Sequence, residues 1–190
     1  MSTKIRNFLL TALSGYAVCI ILGLLVFGTS IFAFHYILFI ITAFGFYGAV
    51  FYSVLKYFKI KNQILTAVAL FILQMVLRGK LLHMTSLTVD FIYMLSLFIS
   101  VLSYKIFIDK YPYTPILLRS FILPVILGLG NIFAVFATFL IFIHSITGII
   151  WAIFRISQYS AIIGFGLGIG FDLFEIINDR VLINGNNTVI

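Results

Sequence analysis

The feature that most constrains this chain is a series of apolar runs, several of them too long for the core of a soluble domain, punctuated by small clusters of basic residues. Crossing the hydrocarbon of a bilayer takes roughly 20 predominantly apolar residues in a helix. In lipid every backbone N–H and C=O must find its partner within the protein, so runs of this kind are helical. Composition agrees: 9% of the residues are charged and 63% hydrophobic, with a mean hydropathy of +1.24. A soluble domain carries about 25% charged residues to solvate its surface. The sequence therefore predicts an all-α, polytopic transmembrane helical bundle, one integral membrane domain over residues 1–190.

Six spans fit the runs best, over 8–27, 32–58, 64–77, 87–108, 115–142 and 157–177. The third is short, and its ends should reach into the polar interface. The stretch HSITGIIWAIFR, residues 144–155, either prolongs the last helix or lies along the interface with Trp151 at headgroup depth. A seven-span alternative divides 115–177 into three helices, but its first piece of about 14 residues is short for a crossing.

Lys and Arg in short loops set orientation. Lys4, Arg6, Lys56, Lys59, Lys61, Lys105, Lys110 and Arg180 fall on one side, against Arg78 and Lys80 on the other. The bias predicts both termini in the cytoplasm. The net charge of +7 then serves topology and contact with anionic headgroups of the lipid bilayer. Nucleic acid is not an expected partner, because no soluble domain exists to carry a basic patch. The first apolar run is longer than the roughly 7–15 residues of a cleaved signal and lacks an A-x-A-like site, so it reads as a span. The single cysteine, Cys19, lies inside that run and leaves no intrachain disulfide or thiolate cluster.

The stretch GFGLGIGFDLFE, residues 164–175, is the most distinctive. A nucleotide loop would need a preceding strand, and a P-loop also a Lys-Ser/Thr pair, so no cofactor is called for. At about 100° per residue, Gly164 and Gly168 share one helix face and Gly166 and Gly170 the opposite one. Both faces permit close approach of neighbouring backbones. Asp172, Glu175 and Asp179 continue the Gly164/Gly168 face as a stripe of carboxylates. At headgroup level, paired with Arg180 or a loop lysine, they are anchors; deeper in the bundle they are a cation or proton site.

Other helices repeat the small-residue theme, with Thr11, Gly15, Cys19 and Gly23 in the first span and Gly45, Ala49 and Ser53 in the second. Such rows serve internal packing or a membrane-protein partner, a second copy of the chain included. Arg78, Lys80 and His83, with Asp90 and Tyr93 beyond them, form an outer constellation that either gathers an anionic solute or snorkels to headgroups. In the fifth span Pro124 should kink the helix near residue 120, with Arg119 before it and Gly128, Gly130 and Asn131 after it. Interrupted helices often line solute sites in transporters. His35, His83 and His144 are too scattered to suggest a metal. Neither HExxH nor G-x-S-x-G occurs, which gives catalysis little support.

In size and span count the chain resembles the substrate-binding subunits of energy-coupling-factor vitamin transporters, a resemblance of architecture that carries no residue assignments. The leading expectation is a small protein that binds or transports a solute or ion within its bundle. Arg119, Asn131, Asp90, Asp172 and Glu175 would line the pocket. A scaffold or assembly subunit, packing on partner helices through small-residue faces, is the alternative. A lipid-modifying enzyme ranks third. The scarce prolines and the abundant Ile and Phe suit a bacterial inner membrane.

Overall fold

A computed structural model describes residues 3–27, 35–58, 65, 68–69, 72–73, 87–142 and 146–186. Among them are five helices, α1 (Thr3–Phe27), α2 (His35–Tyr57), α3 (Leu87–Lys110), α4 (Ile116–Phe142) and α5 (Ile146–Asn186). Four stretches within these helices are long and apolar enough to cross a membrane: Thr3–Phe27, Phe91–Lys110, Leu118–Thr138 and Thr147–Ile177. The protein is a helical bundle of membrane type. Of the predicted third span, 64–77, only Leu65, Val68, Ala69, Ile72 and Leu73 are described; they are helical and exposed.

The last helix departs from expectation. It runs for 41 residues without a break, about 62 Å at 1.5 Å per residue, and so begins well before residue 157. From Ile146 onward the ambiguous stretch prolongs this helix; no proline follows to stop it, and Gly148 alone is a modest local penalty. Among the described residues of 115–177 there are two helices, α4 and α5, rather than the three of the seven-span division. Pro124 sits inside α4, whose helical assignment is continuous.

Helix α5 is the hub, packing on α4, α1 and α2, while α1 meets α2, α2 meets α3 and α3 meets α4. Named contacts give the directions. Gly48, Tyr52 and Lys56 meet Leu167, Phe171 and Glu175 in ascending order, so α2 and α5 run parallel. Phe51 and Tyr52 meet Phe98 and Tyr104, so α2 and α3 are parallel as well. Ser14 reaches Gly170 and Cys19 reaches Ile163, so α1 opposes α5. Ser120 pairs with Asp172 and Asn131 with Ser160, so α4 opposes α5 too. The start of α1, the ends of α2, α3 and α5 and the start of α4 therefore gather at one end of the bundle. Lys4, Arg6, Lys56, Lys105, Lys110 and Arg119 all lie on these segments.

The two glycine edges of α5 meet different neighbours. A Cβ on Gly164 would collide with the Pro124 backbone of α4, and one on Gly168 would stand 3.1 Å from Ser120 Cα. On the other side, a Cβ on Gly166 would lie 2.5 Å from Cys19 Cα, and one on Gly170 2.5 Å from Gly15 Cα. Neither α1 nor α4 could sit this close to a larger residue. The α1 row Thr11, Gly15, Cys19 and Gly23 is buried, as is the α2 row Gly45, Ala49 and Ser53. Tyr52, Met94, Leu97, Val101, Tyr104, Leu127, Leu167 and Phe171 are among the largest fully buried members of the core. Leu13, Leu25, Leu129 and Phe133 point outward, as lipid-facing residues must.

Candidate functional site

At the basic end of the bundle, α2 and α4 bring charged and hydroxyl groups onto α5. Asp172 is 4% exposed, and Ser120 of α4 donates to its Oδ2 at 2.8 Å. The pairing follows from the glycine edge, since Asp172 lies one turn beyond Gly168 and both face Ser120. Glu175, three residues on, is half-buried between two cations. Lys56 from the last turn of α2 contacts Oε1, and Arg119 Nη1 lies 3.5 Å from Oε2. Lys56 also stands over the rings of Tyr52 and Tyr57, at 5.8 and 5.7 Å from their centroids. These are partly desolvated distances at which a cation gains from ring quadrupoles.

Arg119 has a second duty. Its Nε donates to the Thr114 carbonyl at 2.8 Å and its Nη2 to that of Pro112. The guanidinium fork thus ties the α3–α4 turn, residues 111–115, to Glu175 on α5. The aromatic wall of the site is Tyr52, stacked on Phe171 with centroids 4.0 Å apart and an interplanar angle of 15°. Tyr104 of α3 tilts against Tyr52 at 5.7 Å. Beside the cluster, Lys105 is buried and binds the exposed Asp109 one turn along α3. Lys56, Arg119, Asp172 and Glu175 form a set of two formal positive and two formal negative charges.

The remaining sequence candidates are placed elsewhere. Asn131 is 7% exposed and lies about 18 Å along α4 from Arg119. Its Nδ2 donates to Ser160 Oγ at 2.7 Å, and Ser160 in turn donates to the Ile156 carbonyl at 2.7 Å. Among the described residues, Asn131 Oδ1 and Ser96 Oγ, both buried, have no hydrogen-bond partner. Asp90 lies near the start of α3, at the opposite end of the bundle from the cluster, and its side chain is outside the described residues. Arg78, Lys80 and His83 are also outside them, as are the side chains of His35, Asp179 and Arg180 and the whole of His144. Gly164, Gly166, Gly168, Gly170, Gly15 and Gly23 are all buried between helices. The small-residue rows face inward.

Sequence reasoning did not single out Ser120, Tyr52 or Tyr104, and it named Lys56 only as a topological cation. One signal was available: Ser120 is the only hydroxyl residue between Arg119 and Asn131. Among the described residues, no three His, Cys, Asp or Glu side chains converge as metal ligands. Comparison with protein-family models, with curated proteins and with solved structures finds no match to this chain.

Proposed function

We propose that the protein binds a small solute or ion within its helical bundle and moves it across the membrane, with the Asp172 cluster as the site. One observation carries this reading: a carboxylate 4% exposed on the hub helix, held by a neutral hydroxyl rather than by a matched cation. A charged group so placed in a membrane helix is expensive and is kept where it serves a path or site. The cations that purely structural pairing would use are on Glu175 instead.

Depth suits an inner mouth of the bundle. Trp151 is 63% exposed and its ring lies 5.1 Å from the Arg155 guanidinium, a pair suited to the outer headgroup layer. From Trp151 to Asp172 the helix rises about 32 Å, close to the roughly 30 Å of a hydrocarbon core. Asp172 then sits at the inner hydrocarbon boundary, with Glu175 one turn beyond it in the headgroups. The proposed topology has six crossings and cytoplasmic termini in a bacterial inner membrane. It is supported by the parallel α2 and α3, which place the end of one and the start of the other at opposite ends of the bundle.

The test is reconstitution of the full chain and of Asp172→Asn into sealed vesicles. Uptake of radioactive sodium and of protons, read by a trapped pH dye, is followed beside mass spectrometry of small molecules that co-purify. Wild-type protein should move an ion or retain a solute, and the variant should lose that behaviour. A wild-type protein that does neither, or a variant that matches it, refutes the proposal.

A further inference from the structure

Ser120 presents a counting problem. Its hydroxyl oxygen is 2.8 Å from Asp172 Oδ2 and 3.2 Å from the Ile116 carbonyl oxygen. A hydroxyl has one proton to donate, while an ionised carboxylate and a carbonyl only accept. With Asp172 ionised, Ser120 satisfies one contact and leaves the other as two oxygens facing each other without a proton. With Asp172 protonated, both contacts fill. The carboxyl O–H donates to Ser120 Oγ, and the Ser120 hydroxyl donates to Ile116 O. We infer that Asp172 and Ser120 form a proton-binding site with two hydrogen-bond states, the proton being the ion that the cluster takes. The inference rests on the functional reading above only in giving that ion a role; the site itself rests on the geometry.

Binding forms an O–H bond at Asp172 Oδ2 and rotates the Ser120 hydroxyl from Asp172 to Ile116; no other bond changes. The surroundings make the rotation matter. Pro124 has no N–H, so the Ser120 carbonyl four residues earlier lacks its usual helical donor. The first turns of α4 are thereby less firmly joined to the rest of the helix. Two polar side-chain contacts, Ser120 to Asp172 and Arg119 to Glu175, and the ring pair of Phe121 with Phe165 hold them to α5. Among the described residues, the titratable groups that act on Asp172 are Glu175 on α5, Arg119 on α4 and Lys56 on α2, with the hydroxyls of Tyr52 on α2 and Tyr104 on α3. The proton converts a formally neutral quartet into one with a single surplus positive charge and exchanges a charge-assisted bond for two neutral ones.

Infrared difference spectroscopy of the full chain in lipid, between acidic and alkaline buffer, tests this directly. The expected signal is a carbonyl-stretch component of a protonated carboxyl that is lost in Asp172→Asn and displaced in Ser120→Ala. Asparagine preserves both contacts, because its Nδ2 donates where the carboxyl O–H did, so the variant should fold. Should it not fold, the displacement in Ser120→Ala decides alone. A component that persists in Asp172→Asn, or stays unmoved in Ser120→Ala, overturns the proton site. Wild-type ion or solute uptake by Asp172→Asn would instead refute the functional reading and leave the proton site standing.

Discussion

Replacing Gly170 with alanine puts a methyl group into backbone that cannot give way. The new Cβ would stand 2.5 Å from Gly15 Cα, 2.7 Å from Ser14 O and 2.8 Å from Gly15 N. Carbon–carbon contacts settle near 3.5–4.0 Å, so α1 must retreat by about 1.0–1.5 Å at this point. That retreat stretches the bond from Ser14 Oγ to the Gly170 carbonyl, now 2.8 Å, beyond useful geometry. Overpacking costs about 1–3 kcal/mol, and a lost bond between membrane helices about 0.6. Alanine returns about 0.8–1.0 through helix propensity, leaving a net loss of about 0.6–2.8 kcal/mol. Gly128 is the control, since a Cβ there meets nothing within 4 Å, and Gly128→Ala should be neutral or stabilising by up to about 1 kcal/mol. Unfolding of the purified protein in mixed detergent micelles, followed by circular dichroism, measures both. The reasoning fails if Gly170→Ala is as stable as the wild type, or if the two alanines are equally harmful.

Other consequences of the packing are open to measurement. Lys56→Met and Glu175→Gln should each destabilise the bundle, and the double variant should fall short of their sum by about 1 kcal/mol; strict additivity would mean that the pair seen across α2 and α5 does not form in the membrane. Arg119→Ala should free the turn carbonyls of Pro112 and Thr114 and speed exchange of the Tyr111, Tyr113 and Thr114 amides, with Arg119→Lys giving little rescue because lysine lacks the fork. Unchanged exchange would remove the clamp from the account. Cys19, buried and 3.4 Å from the Ile163 carbonyl, should resist maleimide until the protein is unfolded, and rapid labelling of the native protein would contradict the α1–α5 seam. In a Cys19→Ser background, Tyr113→Cys, at a position 97% exposed, should react with an impermeant maleimide only from the cytoplasmic side, and labelling of intact cells would invert the topology.

Much of the bundle can be read from periodicity alone. The glycine run of α5 must show two opposite edges because a helix turns about 100° per residue, and those edges now meet α1 and α4. The rows through Gly15 and Gly45 follow the same logic. The length of α5 was less legible, because Arg155 and Trp151 look like an interface in sequence, whereas the helix carries them without interruption. The partners of the carboxylates were harder still. Lys56 and Glu175 are 119 residues apart, and Ser120 and Asp172 are 52 apart. No local pattern encodes which helices will adjoin. A lone serine in an apolar helix carries no period, so only the packed bundle reveals that Ser120 faces the acid.

The seam between α1 and α5 also bears on synthesis. Ser14 and Gly170 are separated by 156 residues of chain, and ribosomes add about 5–20 residues per second. The first helix therefore waits roughly 10–30 s before α5 is made to cover Gly15. During that interval α5 does not yet exist, and among the described helices α2 is the only other one that α1 packs against in the finished bundle. A nascent chain interrupted before α5 would leave a backbone-exposing groove in the bilayer, which is the form a membrane quality-control protease would be expected to meet.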